Sequence, residues 1–229
     1  TSGSKPILGR YDPQIASSIF NDVEDGYDVP VLCRSQFEMD EKIALQMTHM
    51  VPGRRGCGNG KEDPQFGLFG AVYLTDAAIN RWGLRYYHYT VSDEPVVETI
   101  NLRWLEKIFG DDVLERVKEN GYDFDAKSLP DTAKVVMDLQ TKAHAFFLQV
   151  GNRSDVQRQW TDLYGSDHFV MLPGGTTEHL HYVKAVIGGL TEGVLDLQSV
   201  GEFLREHAVS DIDANQIVRA VAHIPLGAQ

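Results

Sequence analysis

The chain has 229 residues and carries 21 Lys and Arg against 33 Asp and Glu, which gives a formal net charge of −12. Its hydrophobic fraction of 42% and charged fraction of 24% are typical of a globular protein and exclude the disordered and fibrous classes. The acidic balance argues against nucleic acid as a partner, because phosphate binding depends on clustered Lys and Arg side chains. The one basic cluster, Arg54-Arg55 with Lys61 nearby, is too small for such a footprint.

The sequence also bears on the cellular compartment. No apolar run approaches the roughly 20 residues that are needed to span a bilayer. The polar, glycine-containing start from Thr1 to Arg10 is not typical of a secretion signal. Cys33 and Cys57 are predicted to be reduced thiols in a cytoplasmic protein, with a single disulfide bridge as the alternative.

The chain is predicted to alternate between helices and strands after a turn-rich start. Residues 1–26 form an N-terminal segment with one short helix expected at 14–20. Hydrophobic periodicity then predicts the following elements. They are a strand at 27–37, helices at 38–50 and 65–82, a strand at 84–92, helices at 101–120 and 131–142, a strand at 143–150, a helix at 154–164, a strand at 168–172, and helices at 177–189, 196–207 and 213–223.

This alternation predicts an α/β fold, with a mostly parallel central sheet and helices on both faces. The predicted domain covers 27–195, and 196–229 form a C-terminal helical extension. The almost wholly apolar run at 143–150 is typical of a strand that is buried on both faces. Ligands of such sheets bind at the carboxyl ends of the strands, so the residues that follow each strand are the candidate site.

Two segments carry oxygen donors that could serve such a site. The glycine-rich stretch 56–63 contains Asn59, Glu62 and Asp63 at the entry to a helix. The predicted strand at 84–92 ends in Ser92-Asp93-Glu94. Loops rich in carboxylate, amide and hydroxyl oxygens suit a hard cation such as magnesium. A flexible turn at 56–63, and a helix-capping role for Asp93, are the alternatives.

The order of these segments resembles the von Willebrand factor A domain family, over roughly 27–189. GCGNGKEDPQFGLFGAVYL is similar to the glycine-rich second loop of the family's metal site and the helix that follows it, and RYYHYTVSDEP is similar to the fourth strand with its Asp. The resemblance implies a Rossmann-like sheet and a divalent cation, with Asp93 and Asn59 as ligands and Glu62 or Asp63 as a ligand or supporting group.

The N-terminus bears on the first loop of that metal site. Thr1-Ser2-Gly3-Ser4 is similar to the last four residues of the family's D-x-S-x-S motif, so the resemblance implies Ser2 and Ser4 as further ligands. A turn-rich terminus is the alternative. The resemblance also implies that the family's first strand and the complete motif are not contained in this chain.

The function expected from the resemblance is a non-enzymatic domain that binds a protein partner through the loops at one end of the sheet. Arg54, Arg55 and Glu94 are the expected partner contacts, and a divalent cation such as Mg2+ is the expected bridge. Two alternatives remain open at this point. One is a metal-dependent hydrolase on an α/β sheet, and the other is a structural subunit of an oligomer or larger assembly with a degenerate metal site.

Overall fold

The computed structural model describes residues 13–24, 29–53 and 60–227. Their contacts divide the chain into two compact units, each built from two stretches of sequence. The first unit takes its described residues from Thr1–Leu84 and Val96–Lys142, and the second from Arg85–Pro95 and Ala143–Gln229. No described helix has the length and apolar character required to cross a membrane.

The first unit begins with a small antiparallel ribbon. Strand β1 (Ser18–Phe20) pairs with β2 (Leu32–Arg34), so that Ile19 lies opposite Cys33. The helix predicted at 14–20 was therefore wrong, because the backbone of this segment bonds to a distant partner rather than to itself. Ile15 extends the pairing through a bridge to Glu38.

Helices make up the rest of the first unit. They are α1 (Lys42–Thr48), α2 (Pro64–Tyr73), α3 (Leu102–Phe109), α4 (Val113–Glu119) and α5 (Thr132–Lys142). Helix α2 is apolar nearly all round and almost entirely buried, as expected of a helix at the centre of a core. The Tyr73 hydroxyl donates a hydrogen bond of 2.8 Å to Asp138 Oδ2 and so connects α2 to α5.

Two helices of this unit are shorter in the structure than the sequence predicts. The one predicted at 65–82 ends at Tyr73, where the Thr75 hydroxyl donates to the Gly70 carbonyl, and only a 3-10 turn, Ala78–Trp82, follows. The one predicted at 101–120 divides at Gly110, whose φ of 99° lies outside the helical region. A glycine in the interior of an apolar pattern thus ended the helix instead of continuing it.

The second unit contains a three-stranded parallel sheet in the order β3-β4-β5. Its strands are β3 (Tyr86–Ser92), β4 (Ala143–Gln149) and β5 (Phe169–Met171). Helix α6 (Ser154–Tyr164) connects β4 to β5, and Ser92, Gln149 and Met171 lie in register at one end of the sheet. The chain is therefore a mixed α/β protein with a small parallel sheet.

Helices cover both faces of this sheet because alternate side chains of β4 point to opposite sides. On one face, Trp160 of α6 stacks on Phe147 with ring centroids 4.1 Å apart. On the other face, Phe146 and Leu148 belong to a buried cluster with three helices. Those helices are α7 (Leu180–Thr191), α8 (Leu197–Glu206) and α9 (Asp211–Val221).

The last two helices, predicted as an extension, are part of this core. Val200 and Leu204 of α8, and Ile217 and Val221 of α9, are fully buried in the cluster that includes the sheet. Asp196 begins α8 with a capping box completed by Ser199, which satisfies backbone groups at the helix start. The apolar stripes of α8 and α9 therefore pack on their own sheet.

The stacking of Trp160 is expected to stabilise the second unit strongly. Trp160 is completely buried, so Trp160→Ala should lower the free energy of unfolding by about 3–5 kcal/mol through lost burial and the cavity left behind. Urea denaturation measures this change. Trp82→Ala is the control, because the Trp82 side chain is 83% exposed and its loss should have little effect. Equal losses for the two variants would contradict the assignment of Trp160 to the core.

Candidate functional site

The carboxyl ends of the three parallel strands define the candidate site, because in a parallel sheet these ends meet at one edge. We call the residues 92–94, 150–153 and 172–176 the carboxyl edge. They follow β3, β4 and β5 in turn. All of them belong to the second unit.

The loop after β3 places one carboxylate in solvent. Ser92 is buried, and its hydroxyl accepts a hydrogen bond of 3.1 Å from the Glu94 backbone N–H, which closes a tight turn. Asp93 lies at the tip of this turn and is exposed. Within the described residues its carboxylate forms neither an ion pair nor a hydrogen bond, so it is available to a ligand from outside.

Glu94, by contrast, is committed to internal contacts. Its carboxylate forms an ion pair with Arg153, in the loop after β4, and its carbonyl accepts a hydrogen bond of 3.0 Å from the Trp160 indole. Arg153 also contacts Asp155 at 2.7 Å. Hydrogen bonds to Asp155 and Glu94 raise the pKa of the Arg153 guanidinium, and the Arg153 side chain lowers the pKa of Asp155. Arg153 thus pairs with two carboxylates, whereas the Asp93 carboxylate has no cationic partner among the described residues.

The loops after β4 and β5 touch through their backbones. The Gly151 N–H donates to the Gly175 carbonyl at 2.9 Å. A Cβ on Gly175 would lie 3.1 Å from the Gly151 Cα, and the φ of Gly175 is +67°, so glycine is required here on two grounds. This contact holds the two loops against each other.

A buried amide lies directly beneath the edge. Gln149, the last residue of β4, is fully buried, and its Nε2 donates to the Arg153 carbonyl at 2.9 Å. Its Oε1 is also buried but accepts no hydrogen bond. A buried acceptor without a donor is costly, but this oxygen has no access to solvent and is not open to an external ligand.

The other site residues predicted from the sequence fall elsewhere. Glu62 and Asp63 belong to the first unit, whereas Asp93 and Glu94 belong to the second. Glu62 forms an isolated bridge with Val96. The remaining predicted residues lie outside the described part of the chain; they are Ser2, Ser4, Arg54, Arg55 and Asn59.

Asp63 is an internal, hydrogen-bonded carboxyl group rather than a surface one. It is only 3% exposed; its Oδ2 accepts from the Val23 N–H at 2.9 Å and its Oδ1 from Gln65 Nε2 at 2.5 Å. Burial raises the pKa of Asp63 against the opposing effect of these donors, and the nearby Asp22 carboxyl raises it further. A buried pair of carboxyl groups therefore links the segment after β1 to the start of α2.

No ready-made metal cage is present in the ranges 13–24, 29–53 and 60–227. There, no group of three or more His, Cys, Asp or Glu side chains could hold a metal ion. The described carboxyl edge offers one free and exposed carboxylate, Asp93, whereas Ser92 and Gln149 are buried. A single carboxylate suits only a weakly held magnesium ion that keeps most of its waters, because magnesium is commonly bound through one or two carboxylates.

Sequence reasoning missed Arg153, Gln149 and Asp22. Arg153 follows the predicted strand directly in the run Gly-Asn-Arg, but its partner Glu94 is 59 residues away in the sequence. Gln149 gave a weak signal as a polar residue near the end of an apolar strand. No local sequence pattern around Asp22 or Asp63 indicates that these two residues meet.

Comparison with known proteins gives no assignment for this arrangement. No family model, curated protein or solved structure matches the chain.

The close contact between Gly151 and Gly175 can be separated from backbone strain by a matched pair of variants. Gly174 and Gly175 both have positive φ, but a Cβ on Gly174 would meet no atom within 4 Å. Both alanine variants should carry similar strain, and Gly175→Ala should cost about 1–3 kcal/mol more because it pushes into the Gly151 backbone. Chemical denaturation of both variants measures the difference. Equal losses of stability would show that the two loops do not touch as described.

The buried Asp63 should make stability fall as the pH rises. Because its folded-state pKa is raised above the ordinary 3.8, the folded state holds its proton more tightly than the unfolded state does. Its contribution is therefore favourable at low pH and is lost as the pH rises through the folded-state pKa. Asp63→Asn removes the titration, so the variant should lose less stability than the parent protein as the pH rises above about 4.

Melting temperature measured across this pH range provides the test. Asp162→Asn is the control, since Asp162 is exposed and its replacement should leave the pH dependence unchanged. Identical pH dependence for Asp63→Asn and the parent would contradict the raised pKa.

Proposed function

We propose that the chain is a protein-interaction domain that binds its partner at the carboxyl edge of the parallel sheet. The observation that carries this proposal is the exposed Asp93 carboxylate, which has no bonding partner among the described residues while its neighbour Glu94 is neutralised by Arg153. Exposed carboxylates are common on protein surfaces, so it is the position of Asp93 at the end of a parallel strand that distinguishes it. An uncompensated carboxylate at the ligand-binding edge of an α/β sheet is suited to an external cation or donor.

The finer proposal is a domain of the von Willebrand factor A type. Three parallel strands in consecutive order, with α6 as the crossover and further helices on the second face, support this proposal. In such a domain Asp93 would hold a divalent cation such as Mg2+, directly or through water, and a carboxylate of the partner would complete the coordination. Ser2, Ser4, Asn59, Arg54 and Arg55, which the resemblance implies as further donors and partner contacts, lie outside the described residues, so the proposal rests on Asp93.

The cation would supply positive charge between two carboxylates, one from each protein. Ser92 would position Asp93, because its hydroxyl accepts the N–H of Glu94 and so holds the turn that presents Asp93. Arg153 would keep Glu94 away from the cation by holding its carboxylate in an ion pair. Asp63 is a poorer ligand than its position in the sequence indicates, because its oxygens already accept hydrogen bonds from Val23 and Gln65.

The two alternatives find less support. A metal-dependent hydrolase needs a second acidic group or a base beside Asp93, and in the described part of the carboxyl edge Glu94 is the nearest acid in sequence and is already paired. A structural subunit was suggested by the apolar helices at the C-terminus. Those helices bury their apolar residues in the core of the second unit, which leaves less surface for docking on a neighbour.

Titration with Mn2+ tests the cation site, since this paramagnetic ion stands in for Mg2+ and broadens the NMR signals of nearby residues. Broadening is expected first at residues 92–94 and should be lost in Asp93→Asn. Asp162→Asn is the matched control, because Asp162 is an exposed residue near the end of α6, which runs back from the carboxyl edge. The site would be refuted if millimolar Mn2+ left 92–94 unaffected, or if both variants behaved alike.

Turnover distinguishes binding from hydrolysis. We expect the protein with Mg2+ to leave a generic phosphoester such as p-nitrophenyl phosphate unhydrolysed. Hydrolysis that is lost in Asp93→Asn and kept in Asp162→Asn would overturn the binding proposal in favour of the hydrolase.

A further inference from the structure

A groove runs along the outer side of β5. Its volume is about 450 Å³, and it lies entirely within the second unit. Phe169 and Met171 of β5 line it. The remaining lining residues come from the turn before β5, from α6 and from the α9 region; they are Gln157, Thr161, Ser166, Asp167, Arg219, Ala220 and His223. Asp167 places a negative charge before the start of β5, whereas Arg219 places a positive charge on the α9 side.

The register of the sheet shows which backbone groups face this groove. Leu172 donates its N–H to the Gln149 carbonyl, so in this parallel pairing Leu172 and Val170 direct their backbone groups to β4. Phe169 and Met171, which alternate with them, direct theirs outward. The 2.7 Å contact between His223 Nε2 and the Phe169 carbonyl confirms the outward direction.

His223 satisfies only part of this edge. The N–H and the carbonyl of Met171 have no hydrogen-bond partner among the described residues. A strand edge with open donors and acceptors is a template for another extended chain. Small molecules seldom match this spacing of backbone donors and acceptors, whereas a peptide strand repeats it.

The residues that line the groove determine which side chains an added strand could carry. Helix α6 lies on the Phe147 face of the sheet and α9 on the Phe146 face. Alternate side chains of an added strand would therefore meet Thr161 and Gln157 on one side and Arg219 and Ala220 on the other. Arg219 is exposed and forms no ion pair with a described residue.

The geometry points to a second binding site, in which an extended peptide of a partner protein adds to the outer edge of β5 as a fourth strand. Its side chains toward α9 include an acidic residue that pairs with Arg219, and those toward α6 are small or polar. This site is independent of the cation site proposed at Asp93. It extends the interaction function to a second surface and gives the class of its ligand, an extended acidic peptide.

Two synthetic peptides of matched design test the inference. The probe is acetyl-Thr-Glu-Val-Glu-Thr-amide, whose glutamates share one face, and the comparison peptide has lysine in place of glutamate. NMR titration should shift the amide signals of Phe169 and Met171 with the glutamate peptide at about 1–5 mM, a range that reports weak binding. The lysine peptide should shift them at least several-fold less.

Variants of the protein separate the contribution of the Arg219 charge from that of the backbone hydrogen bonds of β5. Arg219→Ala should weaken binding of the glutamate peptide by about tenfold, the value of one charge-assisted contact. Arg158→Ala, which removes the same charge from α6 outside the groove, should leave binding unchanged. Met171→Pro removes an outward N–H without removing a bond to β4, so it should weaken binding while β4 and β5 stay paired.

Three results would overturn the inference. The first is an absence of shifts at Phe169 and Met171 with both peptides in a protein that is folded by its melting curve. The second is equal binding of the two peptides, or equal effects of Arg219→Ala and Arg158→Ala. The third is a shift of these signals with protein concentration, accompanied by a dimer in light scattering, which would assign the edge to a second copy of the chain.

Discussion

The burial of β4 on both faces is the constraint on which the second unit depends. Phe147 on one face must be covered by α6, and Phe146 and Leu148 on the other must be covered by α7, α8 and α9. Since a buried strand cannot leave its backbone groups unpaired, β3 and β5 must lie on either side of it. The crossover through α6 makes β5 parallel to β4, and the stretch 93–142 returns the chain so that β4 is parallel to β3; the loops after all three strands therefore meet at one edge. The position of Asp93 at that edge is thus a consequence of how β4 is buried.

The sheet was predictable where the signal was local. The apolar run at 143–150 predicts β4 to within one residue of its end, and the sequence places Asp93 directly after a strand, as the structure does. Continuous apolar runs and helical periodicity survive in the fold because they reflect burial, which is the largest favourable term. Helices α5 and α6 were predicted for the same reason.

The parts that escaped prediction depend on partners far away in the sequence. Strand β1 is three residues long, and only its pairing with β2 distinguishes it from the helix expected there. Arg153 acquires its role from Glu94, and Asp63 acquires its raised pKa from burial and from Asp22. A single sequence records the composition of these segments but not which of them meet. Of the predicted site residues, Asp93 follows the end of β3 in the second unit, whereas Asp63 is buried in the first unit.

The second unit is discontinuous, and this has a consequence for how the chain folds. During synthesis, β3 cannot pair with β4 until residues Val96–Lys142, which belong to the first unit, have been made. Closing so long a loop costs entropy before any ladder bond is formed, although the cost grows only slowly with loop length. If the intervening helices become compact early, the distance between the ends shortens and the closure is easier. Residues Val96–Lys142 would then fold first, and the pairing of β3 with β4 would follow. A destabilising substitution in α5 would therefore slow the formation of the sheet, although α5 belongs to the first unit.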